Sequence, residues 1–154
     1  MKIKAGQKAP AFKLPDQDGK MHSLADYKNR WILLYFYPKD DTPGCTKEAC
    51  SIRDNFSDFK KLKLTVLGVS VDSIKSHKKF EEKYKLLFIL LADEDKKLVK
   101  SYGVWSNKKF MGREYIGTLR TSFLIDPRGK IVKIYENVKP DEHVAEVLQD
   151  MKSL

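Results

Sequence analysis

The sequence predicts an α/β fold in which a central mixed β-sheet is flanked by helices and preceded by a small N-terminal β-hairpin. Three observations carry this. Residues 31–37 and 65–71 are apolar almost throughout, long enough for buried strands and too short for helices. After each run the apolar residues fall three and four apart, the spacing of one helix face. Near the C-terminus, residues 121–125 and 130–135 flank Asp126-Pro127-Arg128-Gly129, whose Pro second and Gly fourth suit a type I turn between antiparallel strands.

Taken in order, Phe12-Lys13-Leu14-Pro15 and Lys20-Met21-His22-Ser23-Leu24 flank Asp16-Gln17-Asp18-Gly19 and read as the hairpin. Residues 31–37 form the central strand, which Pro38 ends, and a turn-rich loop runs to Gly44. Ala49, Ile52, Phe56 and Phe59 mark one helix from about Gly44 or Cys45 to about Lys61. The second buried strand follows. Ile74, His77, Phe80 and Tyr84 then mark a helix capped by Asp72 or Ser73. Residues 87–91 read as a strand, and Leu98, Val99 and Tyr102 as a short helix stopped by Gly103. Residues 105–117 read as a loop that could border a site, with Trp105 and Tyr115 as wall or core residues. Pro140, followed by Asp141 and Glu142, opens the last helix, whose apolar face is Val144, Val147, Leu148 and Met151. This order matches a thioredoxin-like core with an N-terminal addition; strand order does not follow from the pattern.

A chain of 154 residues fits one domain, 1–154, and 42% hydrophobic with 33% charged residues is the composition of a globular protein with a core. No apolar run approaches a membrane span, and Met1-Lys2-Ile3-Lys4-Ala5-Gly6 has no apolar stretch behind its lysines, so a cytoplasmic protein without a membrane partner is expected. The formal charge of +9 admits nucleic acid as a partner. The lysines are scattered, however, and read as a solvated surface with no nucleic-acid partner. Cys45 and Cys50 are the two cysteines, and His22, His77 and His143 lack short spacing to them, which argues against a zinc site. His77 falls on the apolar face of its helix and reads as a packed histidine.

Cys45 stands where a buried strand has ended and a helix begins. Sites in open α/β sheets cluster at the carboxyl ends of strands. Unpaired amides and the positive end of the helix dipole favour an anion there, and the thiolate is the nucleophilic form of cysteine. Asp40 and Asp41 are close in sequence and would oppose that charge, so they are expected to point outward. Gly44 allows a substrate to approach the backbone closely. Cys50 lies five residues on, roughly 140° round an ideal helix with Cα atoms about 8–9 Å apart. A disulfide needs about 7 Å or less. The two cysteines therefore either never bond or bond only after the first turns unwind, and Cys50 is equally readable as a small buried apolar residue.

Pro38, Thr42, Cys45 and Glu48 reproduce the spacing of the peroxiredoxin motif. The string Thr42-Pro43-Gly44-Cys45-Thr46-Lys47-Glu48-Ala49-Cys50 resembles the bacterioferritin-comigratory, or Q-type, branch of that family. So do Tyr102-Gly103-Val104-Trp105, residues 112–117 and residues 120–126. The resemblance covers essentially the whole chain. It implies a thiol peroxidase in which Cys45 is the peroxidatic cysteine, Thr42 and Arg120 bind and polarise the peroxide with the amide beside Gly44, and Pro38 shields the pocket. It implies that Glu48 positions the arginine or favours the helix N-terminus. Cys50 is implied as the resolving cysteine, forming a Cys45–Cys50 disulfide that a thioredoxin-like reductant reopens. No cofactor and no metal are implied, and the branch works as a monomer or weak dimer.

Two other classes compete. A thioredoxin-type disulfide oxidoreductase shares the fold but normally spaces its cysteines by two residues, against four here. A basic nucleic-acid-binding domain would account for the charge but lacks a recognition motif.

Overall fold

The computed structural model describes residues 3–154; Met1 and Lys2, part of the expected leaderless start, lie outside the described residues. The N-terminal hairpin pairs β1 (Lys13–Pro15) with β2 (Met21–Ser23), and a 3₁₀ turn, Leu24–Tyr27, leads into the sheet. The central sheet contains β3 (Trp31–Phe36), β4 (Leu64–Ser70), β5 (Ile89–Ala92), β8 (Thr121–Ile125) and β9 (Ile131–Tyr135). Its order is β5-β4-β3-β8-β9. The β3–β4 and β4–β5 pairs are parallel, while β3–β8 and β8–β9 are antiparallel, so the sheet is mixed as expected.

β3 is central because both of its faces are covered. Leu33, Tyr35 and Tyr37 pack with Ala49, Ile52, Phe80, Val144 and Val147 on one side. Ile32, Leu34 and Phe36 pack with Phe12, Val99, Tyr102 and Phe123 on the other. Alternation along the strand delivers these two sets to opposite faces. The first face is covered by α1 (Pro43–Asp54), α2 (Phe56–Lys61), α3 (Ile74–Tyr84) and α5 (His143–Lys152), and α4 (Lys97–Ser101) contributes to the second. Among the described residues no helix is long and apolar enough to cross a membrane.

The single helix expected over 44–61 is two, α1 and α2. At Asn55 the backbone leaves helical geometry, and its side-chain amide donates to the Ser51 carbonyl at 2.8 Å, so a short polar side chain competes with the helix ladder. The last helix starts one turn later than Pro140 indicated, because Glu142 and His143 both donate to the Lys139 carbonyl in a preceding turn. The cap of α3 is Ser73, which accepts from the Ser76 amide. The largest departure lies at 105–118, where the expected loop is an antiparallel ribbon of β6 (Trp105–Phe110) and β7 (Arg113–Thr118). Its turn residues, Met111 and Gly112, both have positive φ, as a two-residue type I′ hairpin turn requires. Tyr115 is 46% exposed on this ribbon, contrary to the reading of it as wall or core.

Gly68 in β4 is paired with Tyr35, whose ring lies across it: a Cβ on Gly68 would sit 2.9 Å from the ring. Overpacking of this kind destabilises by about 1–3 kcal/mol. Gly68→Ala is therefore expected to lower stability by roughly 2 kcal/mol, read as a reduced urea midpoint with an unchanged slope.

Candidate active site

β3 ends at Phe36, and the Tyr37 amide makes one last sheet bond to the Val69 carbonyl at 3.1 Å. Pro38 cannot extend the ladder, and the chain turns through Asp41, at φ +55°, to Thr42. Thr42 is the N-cap residue of α1 with extended φ and ψ, and its carbonyl receives the Thr46 amide at 2.8 Å. Pro43 occupies the first turn, where its missing N–H is no loss. Cys45 follows in that turn, so the sulfur sits where helix amides have no intrahelical partner. Its side chain is buried, 2% exposed.

Arg120 enters from the short connection between β7 and β8. Because β8 runs antiparallel to β3, the start of β8 lies beside the end of β3, and this brings residue 120 next to residue 45. The Val138 amide fixes the Arg120 carbonyl at 3.1 Å. Nη2 donates to Cys45 Sγ at 3.4 Å, and Nη1 donates to Glu48 Oε1 at 2.9 Å. Gly44 lies against the guanidinium, where a Cβ would be 3.0 Å from Nη2. The glycine thus makes room for the arginine, a role its sequence context alone did not reveal. Burial works against the Arg120 charge, but the neighbouring sulfur and Glu48 hold its pKa above the ordinary arginine value. Burial pushes Glu48 up to about 7, with Arg120 opposing.

Thr42 Oγ1 donates to the Lys39 carbonyl at 2.9 Å, which leaves its lone pairs available on a half-buried hydroxyl. Pro38 is half-buried at the same loop. Cys50, also in α1, is half-buried, and both thiols are free. The structure therefore brings Pro38, Thr42, Gly44, Cys45 and Arg120 to one end of the sheet, with Cys50 further along the same helix.

Asp40 overturns an expectation. It points inward, 7% exposed, and accepts from the Tyr37 hydroxyl at 2.6 Å. Asp41 alone points out, tied to Lys83 and the Tyr84 hydroxyl. An aspartate in a loop reads as solvated unless its buried partners are known, and those partners come from distant segments. Lys108 was missed as well. It is half-buried in β6 and donates to the Thr118 carbonyl at 2.9 Å; burial and then Arg120 push its pKa below the ordinary lysine value. No periodicity in the exposed ribbon distinguishes it from its neighbour Lys109.

A buried cysteine held beside a permanent cation, at the carboxyl edge of this sheet, is the arrangement of a thioredoxin-fold protein that does redox chemistry on sulfur. The chain belongs to the AhpC/TSA family, whose model matches residues 5–134. Among its relatives, a putative peroxiredoxin bcp of Coxiella burnetii is 52% identical over 148 residues, covering 96% of this chain and 98% of the relative. Peroxiredoxin Bcp of Bacillus subtilis is 48% identical over 154 residues, covering 100% and 98%. Among solved structures, a cysteine-to-serine mutant of Xylella fastidiosa PrxQ superposes with a TM-score of 0.94 at 36% identity, covering 99% of this chain and 98% of the other. Xanthomonas campestris peroxiredoxin Q gives 0.90 at 35%, covering 97% of each.

The Glu48 shift has a stability consequence. Folding raises this carboxyl from 4.5 to about 7, so the folded state holds its proton more tightly than the unfolded state does. Stability is then highest below the unfolded value and falls as pH rises through about 7. Relative to Glu48→Gln, the wild type is expected to lose about 3 kcal/mol between pH 4.5 and 8, measured from urea midpoints across that window.

Proposed function

We propose that this thiol peroxidase reduces hydrogen peroxide and organic hydroperoxides through Cys45, with Cys50 resolving the oxidised cysteine. The single observation that carries the reading is the Arg120 Nη2 to Cys45 Sγ contact of 3.4 Å at the N-terminus of α1. The Cys45 thiolate attacks one peroxide oxygen, the O–O bond breaks, and the leaving oxygen departs with a proton as water or alcohol. Cys45 is left as a sulfenic acid. Arg120 is a permanent cation with a planar fork of donors, placed to stabilise the thiolate and the negative charge that develops on the breaking bond.

Thr42 acts as an acceptor, since its own proton is engaged by Lys39. A peroxide O–H donating to Thr42 Oγ1 holds that hydroxyl oxygen toward the sulfur, so its attack yields the sulfenic acid while the second oxygen leaves. The Cys45 amide, unpaired in the first turn and unobstructed at Gly44, offers a further donor. Pro38 shields the loop side. Glu48 positions Arg120 and does not meet substrate.

The Cys50 thiolate then attacks the sulfenic sulfur, and the oxygen leaves as water. Both cysteines lie within α1, so the helix between them unwinds for this step and reforms after reduction. A thioredoxin-like dithiol accepts the disulfide and returns both thiols. This reading makes the protein a cytoplasmic enzyme, where reductants keep thiols free, acting as a monomer or weak dimer.

The test is peroxide consumption with excess dithiothreitol. Wild type turns over and Cys45→Ser is inactive; Cys50→Ser gives a burst of one equivalent when the reductant is a thioredoxin. Arg120→Met is expected to slow the peroxide reaction by about 10²–10³-fold, the loss typical of one removed oxyanion donor. Thr42→Val is slowed while Thr42→Ser keeps most of the rate. A wild type that consumes no peroxide above a protein-free control overturns the mechanism.

A further inference from the structure

We propose that Asp40 is a positioning residue whose buried cluster with His77 and Ser76 holds α1 wound at its start, and so sets the balance between peroxide attack and disulfide formation. The proposal rests on the Cys45–Cys50 mechanism above.

The loop between β3 and Cys45 is fastened through one carboxylate. Asp40 Oδ1 accepts from the Tyr37 hydroxyl at 2.6 Å, and Oδ2 accepts from the Ser76 hydroxyl at 2.8 Å. His77 Nδ1 lies 2.6 Å from the same Oδ2. The other ring nitrogen, Nε2, faces the Leu91 carbonyl at 3.0 Å, and because a carbonyl only accepts, Nε2 carries a proton. Nδ1 and Oδ2 share a second proton. The Asp40 amide donates to Asp72 Oδ2 at 2.8 Å, and that oxygen also accepts from Ser70 Oγ at 2.7 Å. Both oxygens of Asp40 are thus engaged, in a site where Asp40 is 7% and His77 0% exposed. Asp40, Asp72 and His77 bring three potential metal ligands together, but each of these atoms is occupied by a hydrogen bond, so the cluster reads as a fastening.

The fastening joins the end of β3 to α3 and, through His77, to β5. The Cys45–Cys50 segment lies between it and a second anchor, Arg53, whose Nη1 donates to the Tyr84 carbonyl at 2.6 Å. Peroxide attack needs α1 wound, because Cys45 meets Arg120 only there; disulfide formation needs it unwound. Asp40 touches neither sulfur nor Arg120 among the described contacts, and its effect passes through the position of Thr42 and the first turn of α1. Freeing the loop removes support from the wound state and leaves Cys50 untouched. The expected signature is a slower first step together with a faster second step.

The test treats wild type, Asp40→Ala and Ser76→Ala with hydrogen peroxide in rapid-mixing experiments. It follows the second-order rate of Cys45 oxidation and, by intact mass, the partition between Cys45–Cys50 disulfide and sulfinic acid as peroxide rises. Sulfinic acid forms when a second peroxide oxidises the sulfenic acid before Cys50 reaches it. Asp40→Ala is expected to react about tenfold more slowly and to need about tenfold more peroxide for half conversion to sulfinic acid, a shift in the range of mutational couplings. Ser76→Ala removes one arm of the cluster and is expected to move both quantities the same way by a smaller factor, which keeps the test open if Asp40→Ala does not fold. Asp40→Asn retains an acceptor for Tyr37 and a donor for neutral His77, and is expected to recover most of the wild-type partition. A general loss of stability would lower the melting temperature and leave the partition unchanged, and that outcome overturns the proposal. So does a shift toward more sulfinic acid. If wild type forms no Cys45–Cys50 disulfide with one equivalent of peroxide, the resolving mechanism fails, and the proposal with it.

Discussion

The guanidinium of Arg120 lies between a sulfur and a carboxylate, and most of the local architecture serves to keep it there. Nη2 reaches Cys45 and Nη1 reaches Glu48, two side chains on consecutive parts of one helix. The approach is close: a Cβ on residue 44 would lie 3.0 Å from Nη2, so a larger residue there would push the guanidinium aside. It also requires the first residues of β8 to lie beside the last residues of β3, which the antiparallel pairing of those strands provides. One cation serves two acidic groups. Burial pushes the Glu48 carboxyl up, and the arginine opposes that shift.

The same helix, which presents Cys45 to Arg120, draws little order from its own composition. Pro43, Gly44, Thr46 and Ser51 are not strong helix formers, and the helix ends early at Asn55. Its order therefore comes from outside: Ala49 and Ile52 pack into the core, Arg53 is tied to α3, and the preceding loop is fastened through Asp40. A short helix held by tertiary contacts can open without disturbing the sheet.

Much of this was legible in the sequence, for identifiable reasons. The strand at 31–37 was clear because burial on both faces leaves a continuous apolar run. The turn at 126–129 was clear because Pro and Gly have few other uses at those spacings. Cys45 stood out by its place after a buried strand; Arg120 came only from the family resemblance, since by itself it is one of thirty basic residues. What stayed hidden depends on distant partners. The β6–β7 ribbon is exposed on both faces, with Phe110, Met111 and Ile116 in solvent, so it carries no alternation to detect. Asp40 is charged and next to a turn, and only its contacts with Ser76 and His77 explain its burial. The break at Asn55 is a local competition that apolar spacing does not register.

The arrangement of β3 and β8 also orders events during synthesis. Cys45 and Arg120 are 75 residues apart in the chain, and the strand that carries the arginine to its place is among the last to be made. While a ribosome holds the C-terminal third, the parallel strands β3, β4 and β5 can already pair, yet Cys45 has no guanidinium beside it. The nascent chain therefore passes through a stage in which Cys45 is present without the arginine that the finished sheet sets beside it.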